Sequence, residues 1–526
     1  MKRTKWIAFA IALIMLFAAA CSGGNTNKPD PSPSNTSGGN QQSEAPSATP
    51  DDTPAKKTFT ALLDSNATFP YTKEWPVWDM IEKKTGVTLD VQIPSGKLAE
   101  TLSLVIASGS LPDLMYMHSR KNDSNKYGQQ GALANILDYL DIMPNLKAWI
   151  EKYPEEAKAA LAADGKMYMF PNEGFGETNR MIWMYREDIF KKHNLTPPTT
   201  YDELYTVLKE LKKLYPDSYP LAMRFGQIPE EMLAHFTTNF ETSGDVYFDF
   251  DTNTWKYGAT EDNYREMMVS LKKLFDEKLI PSDFLTMQTK QWQDMVSTSG
   301  AFITIDYITR IDFFNNAMRQ ENPEYNMQFM APPAGLSGGK QQNPYMHFLE
   351  GGLTVHSKSK QIEDVMKYMD FFYSEEGRTL ASWGVEGETY TDNGGTKQFL
   401  PQFTDVTEMR KQTGLATSGT YTWIDYNAHL ALFSEDLRNA YIEARKYDMP
   451  AMQPRPAFLE AENELLSMTG QAVMKHREEN FAKFVTGSRS LSEWDKYVEE
   501  INGLGVQKLL DTYTEAHKRQ ASISFK

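Results

Sequence analysis

The chain of 526 residues has a single cysteine, Cys21, so no internal disulfide can hold its fold together. It also lacks any surplus of basic charge: 54 Lys and Arg stand against 70 Asp and Glu, a net of −16. No basic patch interrupts that balance, which excludes a protein that depends on phosphate contacts, and nucleic acid is set aside as a partner. No apolar run reaches the roughly 20 residues that span a bilayer. The longest, Trp6–Ala20, is too short for that. Catalytic signatures are missing too. There is no P-loop, and none of the eight histidines stands in an H-E-x-x-H pattern.

What is present is an ordinary globular composition, 24% charged, 40% hydrophobic and 12% aromatic, which rules out a disordered chain, a collagen-like fibre and a multi-span membrane protein. At about 100–200 residues per domain, the length implies two or more domains, or two lobes of one unit. Lys2, Arg3 and Lys5 precede the apolar run, the layout of a signal peptide over 1–20. Small residues ending in Cys21 resemble the lipobox of bacterial lipoproteins, with Ala18 where Leu is usual. Cys21 is therefore the expected lipidation site. Residues 21–57 are rich in Ser, Gly, Asn, Pro and Thr and hold no aromatic, so they read as a flexible tether.

The remainder opens with alternating elements. Phe59–Leu63 is a strand candidate; Trp75–Lys84 is helical and stops at Gly86. Val87, Leu89, Val91 and Ile93 alternate with polar residues as a strand does. Leu98, Leu102, Val105 and Ile106 share a helical face that ends at Gly109, and Leu114–Met117 is a third strand. This order predicts a parallel sheet with right-handed crossovers. Thr200 with Glu203, and Ser490 with Glu493, form capping boxes. Tyr247–Tyr257 reads as a hairpin, Phe302–Ile305 and Met327–Met330 as strands, and the chain from about 425 as mostly helical. The fold class is α/β with a helical C-terminal part.

Two motifs fail on context. Gly335–Gly339 matches G-x-S-x-G, but Pro332 and Pro333 precede it and Lys340–Pro344 follows, a loop and not the strand–turn–helix of a nucleophile elbow. Asp249, Asp251 and Asn253 have calcium-loop spacing, yet the sixth position is Thr254 and the twelfth Thr260, so the hairpin reading is preferred. Aromatic side chains near expected loops and element starts are the remaining signal: Trp75, Trp78, Trp183, Trp292, Tyr307, Trp383, Tyr421 and Trp423. Any one of them suits a core, but as a set they suit a polar ligand with apolar faces, such as a sugar.

The lipobox, the tether and the segments EKKTGVTLDV, IASGSLPDLMYM, DGKMYMFP, MYREDIFKKHNLTPPTTYDEL and YSEEGRTLASWGVEGETY, in this order, resemble extracellular solute-binding proteins of ABC importers, family 1. The ending SRSLSEWDKYVEEINGLGVQKLLDTYTEAHKR is similar to its larger lipoprotein subgroup. The resemblance implies a two-lobed, periplasmic-binding-protein-like fold with hinge-connected lobes, one from 58–175 plus 346–388 and the other from 176–345 plus 389–526. It implies an oligosaccharide ligand, permease partners, a lipid anchor on the extracellular face of the cell membrane, a monomer, and no catalysis or cofactor. Some large members carry an Asp/Asn-rich calcium loop; here that place reads LYPDSYPLAM with Asp217 its only carboxylate, so no metal is expected.

In a parallel sheet, ligands lie beyond the carboxyl ends of strands. That rule and the expected lobe connections, near 173–183, 345–350 and 383–390, nominate Asn66, Trp75, His118, Glu173, Arg180, Trp183, Asp306, Tyr307, Glu350 and Trp383. Trp183 and Trp383 are expected to stack a sugar ring, and Asp306, Glu173 and Arg180 to bond its hydroxyls. Arg120, Arg180 and Arg310 offer local positive charge, although an uncharged or weakly charged plant-type oligosaccharide is the expected ligand. The alternatives are a secreted polysaccharide-degrading enzyme and a sensory binding protein of the same fold.

Overall fold

Glycine stops the first two helices as the pattern predicts. Helix Pro76–Thr85 ends on Gly86 (φ 72°) and helix Leu98–Ser108 on Gly109 (φ 72°), both left-handed caps that a side chain would strain. They alternate with strands β1 (Lys57–Leu62), β2 (Val87–Gln92) and β3 (Leu114–Met117). The computed structural model describes residues 56–66, 68–173, 180–344, 351–417, 425–449, 451–523 and 525, all within the compact unit Thr53–Lys526. The signal segment, Cys21, nearly all of the tether, Glu350, Tyr421 and Trp423 lie outside the described residues.

β1 pairs in parallel with β2 (Phe59 opposite Leu89) and with β3 (Ala61 opposite Leu114). The chain then leaves this sheet for β4 (Met181–Arg186), the hairpin β5 (Val246–Asp249) and β6 (Thr254–Tyr257), then β7 (Ile303–Tyr307) and β8 (Met327–Phe329). It returns as β9 (Gly352–Val355), followed by a small hairpin of β10 (Tyr390–Asp392) and β11 (Lys397–Phe399). β9 joins β3 antiparallel, completing the order β2-β1-β3-β9. The second sheet, β7-β4-β8, is antiparallel throughout. The parallel expectation thus holds only for the first three strands.

β4 was not foreseen as a strand. Its sequence MIWMYR is continuously apolar at the start because the sheet is covered on both faces. Met181 and Trp183 enter one core with Leu204, Phe236, Met267 and Phe484, while Ile182 and Met184 enter another with Trp292, Phe314 and Tyr441. The first sheet has its own core, built around Phe59, Met115, Trp149, Phe170, Met366 and Leu415. These are the cores of the two lobes of an α/β fold.

The tail is helical, with Gln471–Thr486, Trp494–Gly503 and Val506–Ala521 packing Phe481, Trp494 and Leu509 into the second lobe. Just beyond, Ile523 and Phe525 pack against the first core, and the Gln520 side chain donates to the Lys158 carbonyl. In the hairpin, Asp249 accepts from the Asp251 amide (2.9 Å) and the Thr252 hydroxyl (2.8 Å), and Lys256 sits on the same carboxylate. No described helix is long and apolar enough to cross a membrane.

Candidate ligand-binding site

Because β1 and β3 are adjacent and parallel, their carboxyl ends emerge side by side. Asp64 after β1 meets His118 after β3 at 3.0 Å, and the imidazole stands edge-on to Tyr116 at 5.0 Å. Burial and the Asp64 carboxylate push the Tyr116 hydroxyl up to about 12. Asn66 is exposed, and its side-chain oxygen accepts from the Thr68 amide at 2.8 Å. Trp75 lies elsewhere. It is buried, its indole N–H donates to the Lys411 carbonyl at 2.8 Å, and its ring covers Gly414.

The chain passages between the lobes are fastened at both ends. On the first lobe, the Asn172 amide donates to the Gly351 carbonyl at 2.6 Å, and the Tyr373 hydroxyl donates to the Pro171 carbonyl. Glu173 accepts from the Tyr153 hydroxyl at 2.7 Å; burial and that carboxylate raise the Tyr153 hydroxyl well above its ordinary range. On the second lobe, Arg180 is fully buried and gives both terminal nitrogens to the Asp448 carboxylate. Asn343, also fully buried, donates its amide N–H to the Tyr447 carbonyl (2.7 Å) and its side chain to the Ala444 carbonyl (3.1 Å). Arg120 is buried against the first lobe and donates to the Ala159 carbonyl at 3.2 Å.

The rim of the second lobe is formed at the end of β7. Asp306 is wholly buried and accepts from Arg224 (2.6 and 3.2 Å), from Arg310 (3.0 Å) and from the Tyr307 amide (2.9 Å). Its oxygens are thus occupied by protein donors, so Asp306 orients its neighbours and is not placed to bond a sugar hydroxyl. Tyr307 is half-buried, and burial with nearby Glu231 raises its hydroxyl pKa.

The two tryptophans expected to stack a ligand differ. Trp183 is fully enclosed in mid-strand, with ring edges against Tyr201 and Phe236 and its N–H on Asn239 at 3.1 Å. It offers no face to a ligand. Trp383 is also buried, yet it borders a cavity of about 680 Å³ with Lys397, Phe399, Asp425, Asn427 and Arg438. Its indole N–H finds no acceptor among the described residues. That volume lies in the range of small-molecule sites, about 300–1,000 Å³. Asp425, on the cavity wall, also reaches Arg378 at 4.0 Å, and the Arg378 charge acts on Tyr153.

The structure therefore brings Asp64 to His118, holds Glu173 on the Tyr153 hydroxyl and sets Trp383 at the edge of a cavity. It places Asn66 on the exposed loop after β1 and Trp75 and Trp183 in cores, and it puts Arg180 to work as a fastener. Sequence reasoning missed Arg224, Arg378, Asp425 and Asp448, which carry no local motif. Among the described residues no group of three or more His, Cys, Asp or Glu side chains gathers to hold a metal.

A family model described as bacterial extracellular solute-binding protein matches residues 50–379, more than half of the chain. The chain belongs to that family. A curated relative of this solute-binding protein is the fructooligosaccharide ABC transporter substrate-binding protein FusA of Streptococcus pneumoniae serotype 4, 23% identical over 86% of this chain and 89% of its own. Another is the polygalacturonan/rhamnogalacturonan-binding protein YtcQ of Bacillus subtilis (strain 168), 26% identical over 84% of this chain and 87% of its own. Among solved structures, alginate-binding protein AlgQ2 without calcium ion superposes with a TM-score of 0.68 at 24% identity, over 89% of this chain and 98% of that one. These structural likenesses carry the two-lobed fold.

Proposed function

We propose that this solute-binding protein captures an oligosaccharide between its lobes and delivers it to the permease of an ABC importer, from the extracellular face of the cell membrane, held there by lipid on Cys21. The observation that carries the reading is the separate packing of the two lobes, joined by fastened passages, together with a sizeable aromatic- and amide-lined cavity bordered by Trp383. The names of FusA, YtcQ and AlgQ2 support a glycan. We draw the first lobe from 58–175 and from 346 to 416, because Met409 and Leu415 belong to its core, and the second from the rest.

In this mechanism each rim holds the ligand, and closure follows from the ligand's greater affinity for the closed state. Glu173, the Trp383 cavity and the two rims are the contacting surfaces. No turnover is expected. Calorimetry and thermal shift against a glycan panel test this: a ligand at about 100 times its dissociation constant stabilises by ~2.7 kcal/mol. Stoichiometric binding with intact glycan supports the reading, and multiple turnovers sink it. Cys21→Ser should leave the protein soluble after a salt wash; retention on membranes would place the anchor elsewhere.

A further inference from the structure

The rim of the second lobe carries more positive charge than its own carboxylate balances. Asp306 holds two guanidiniums, and neither Arg224 nor Arg310 has a second acidic partner among the described residues. One positive charge is left over. Arg224 meets Asp306 through Nε and Nη2, and Arg310 through Nε alone. Nη1 of Arg224 and both terminal nitrogens of Arg310 bond no described protein acceptor. The side chains are 9% and 22% exposed, so a ligand can still reach them.

Both cations are also held in place. Each guanidinium carbon lies 5.6 Å from the Trp292 ring centroid, and Arg224 lies 5.5 Å from that of Tyr307. Trp292 is fixed in turn by its N–H on the Thr304 hydroxyl at 2.8 Å. Glu231, exposed on the first turn of helix Pro229–Asn239, acts on the neighbouring Tyr307 hydroxyl and forms no ion pair with either arginine among the described residues. Planar N–H forks, oriented and left with open donors, match carboxylates in geometry as well as charge. A chain of net −16 repels anions at long range, so recognising one requires such a local surplus.

We propose that Arg224 and Arg310, oriented by Asp306, bind a carboxylate of the ligand, so that the transported solute is an acidic, uronate-bearing oligosaccharide. This replaces the expectation of an uncharged or weakly charged sugar, and it rests on the reading that this rim faces the ligand. The test uses full-length mature protein with tri- and tetragalacturonate, oligomannuronates, the methyl esters of each, and kestose as a neutral trisaccharide. Calorimetry should show a free acid bound at least about tenfold more tightly than its ester. Arg310→Gln should remove most of that preference, the acid losing far more affinity than its ester. Arg310→Lys, which keeps the charge and loses the fork, should fall between. Equal binding of acid and ester, or an undiminished preference in Arg310→Gln, overturns the proposal. Binding of kestose alone overturns the charge assignment and leaves the oligosaccharide reading standing. Failure of every glycan overturns both.

Discussion

Arg180 and Asp448, 268 residues apart, form a two-nitrogen, two-oxygen ion pair where the chain enters the second lobe. Arg180 is 1% exposed and the Asp448 side chain 19%, so removing the carboxylate takes a two-point acceptor from a buried cation. Asp448→Ala should cost about 3 kcal/mol in denaturant unfolding. The double variant Arg180→Met, Asp448→Leu should cost clearly less, because the buried cation is removed together with its acceptor. Equal losses in the two would show that the pair acts through packing only.

Trp183 and Trp383 should separate stability from binding. Trp183→Ala opens the second core and should cost about 4 kcal/mol while the folded fraction keeps its ligand affinity. Trp383→Phe leaves no protein acceptor orphaned, so melting should stay close to wild type while affinity falls. A change in affinity for Trp183→Ala, or none for Trp383→Phe, would move the ligand away from the cavity.

Gly414 and Gly109 make a matched pair of left-handed caps. A Cβ on Gly109 meets nothing within 4 Å, whereas one on Gly414 would stand 2.6 Å from the Trp75 ring. Gly109→Ala should cost about 1 kcal/mol, the backbone term alone. Gly414→Ala should cost at least twice as much, and equal shifts in melting temperature would mean that Trp75 swings aside freely.

His235 supplies a pH dependence. Burial, with the nearby Arg180 charge, pushes its imidazole down to about 3. The unfolded chain therefore takes up a proton that the native state refuses, so the contribution is complete above about pH 6.5 and is lost as pH falls toward 3. Between pH 7 and 5 the loss from this group is about 2 kcal/mol. His235→Gln should flatten that part of the curve. An identical fall in wild type and variant would assign it to other groups.

Local signals in the sequence carried far. Gly86 and Gly109 marked helix ends, and alternation marked the first strands. Thr200 caps its helix by accepting from the Glu203 amide at 3.2 Å, although Glu203 reaches back to Thr199 and not to Thr200. What depended on distant partners was not legible. Trp75 reads as a free aromatic at a helix start until Lys411, 336 residues on, takes its N–H. Asp306 reads as a free carboxylate until Arg224, 82 residues away, claims it. β4 went unrecognised because a strand buried on both faces does not alternate.

The first lobe's sheet needs β9, which is made only after the bulk of the second lobe. Pairing Leu114 with Val355 in an unfolded chain would close a very long loop, with an entropic cost that grows as the logarithm of its length. Arg180 and Asn343, the points where the chain enters and leaves the second lobe, both lie against the Tyr447–Asp448 turn. That turn comes after β9 in the chain, so the two ends are gathered only when the segment that follows the first lobe has also docked. Each lobe thus waits on the other, and damage to the Arg180–Asp448 junction should appear as slow completion of both.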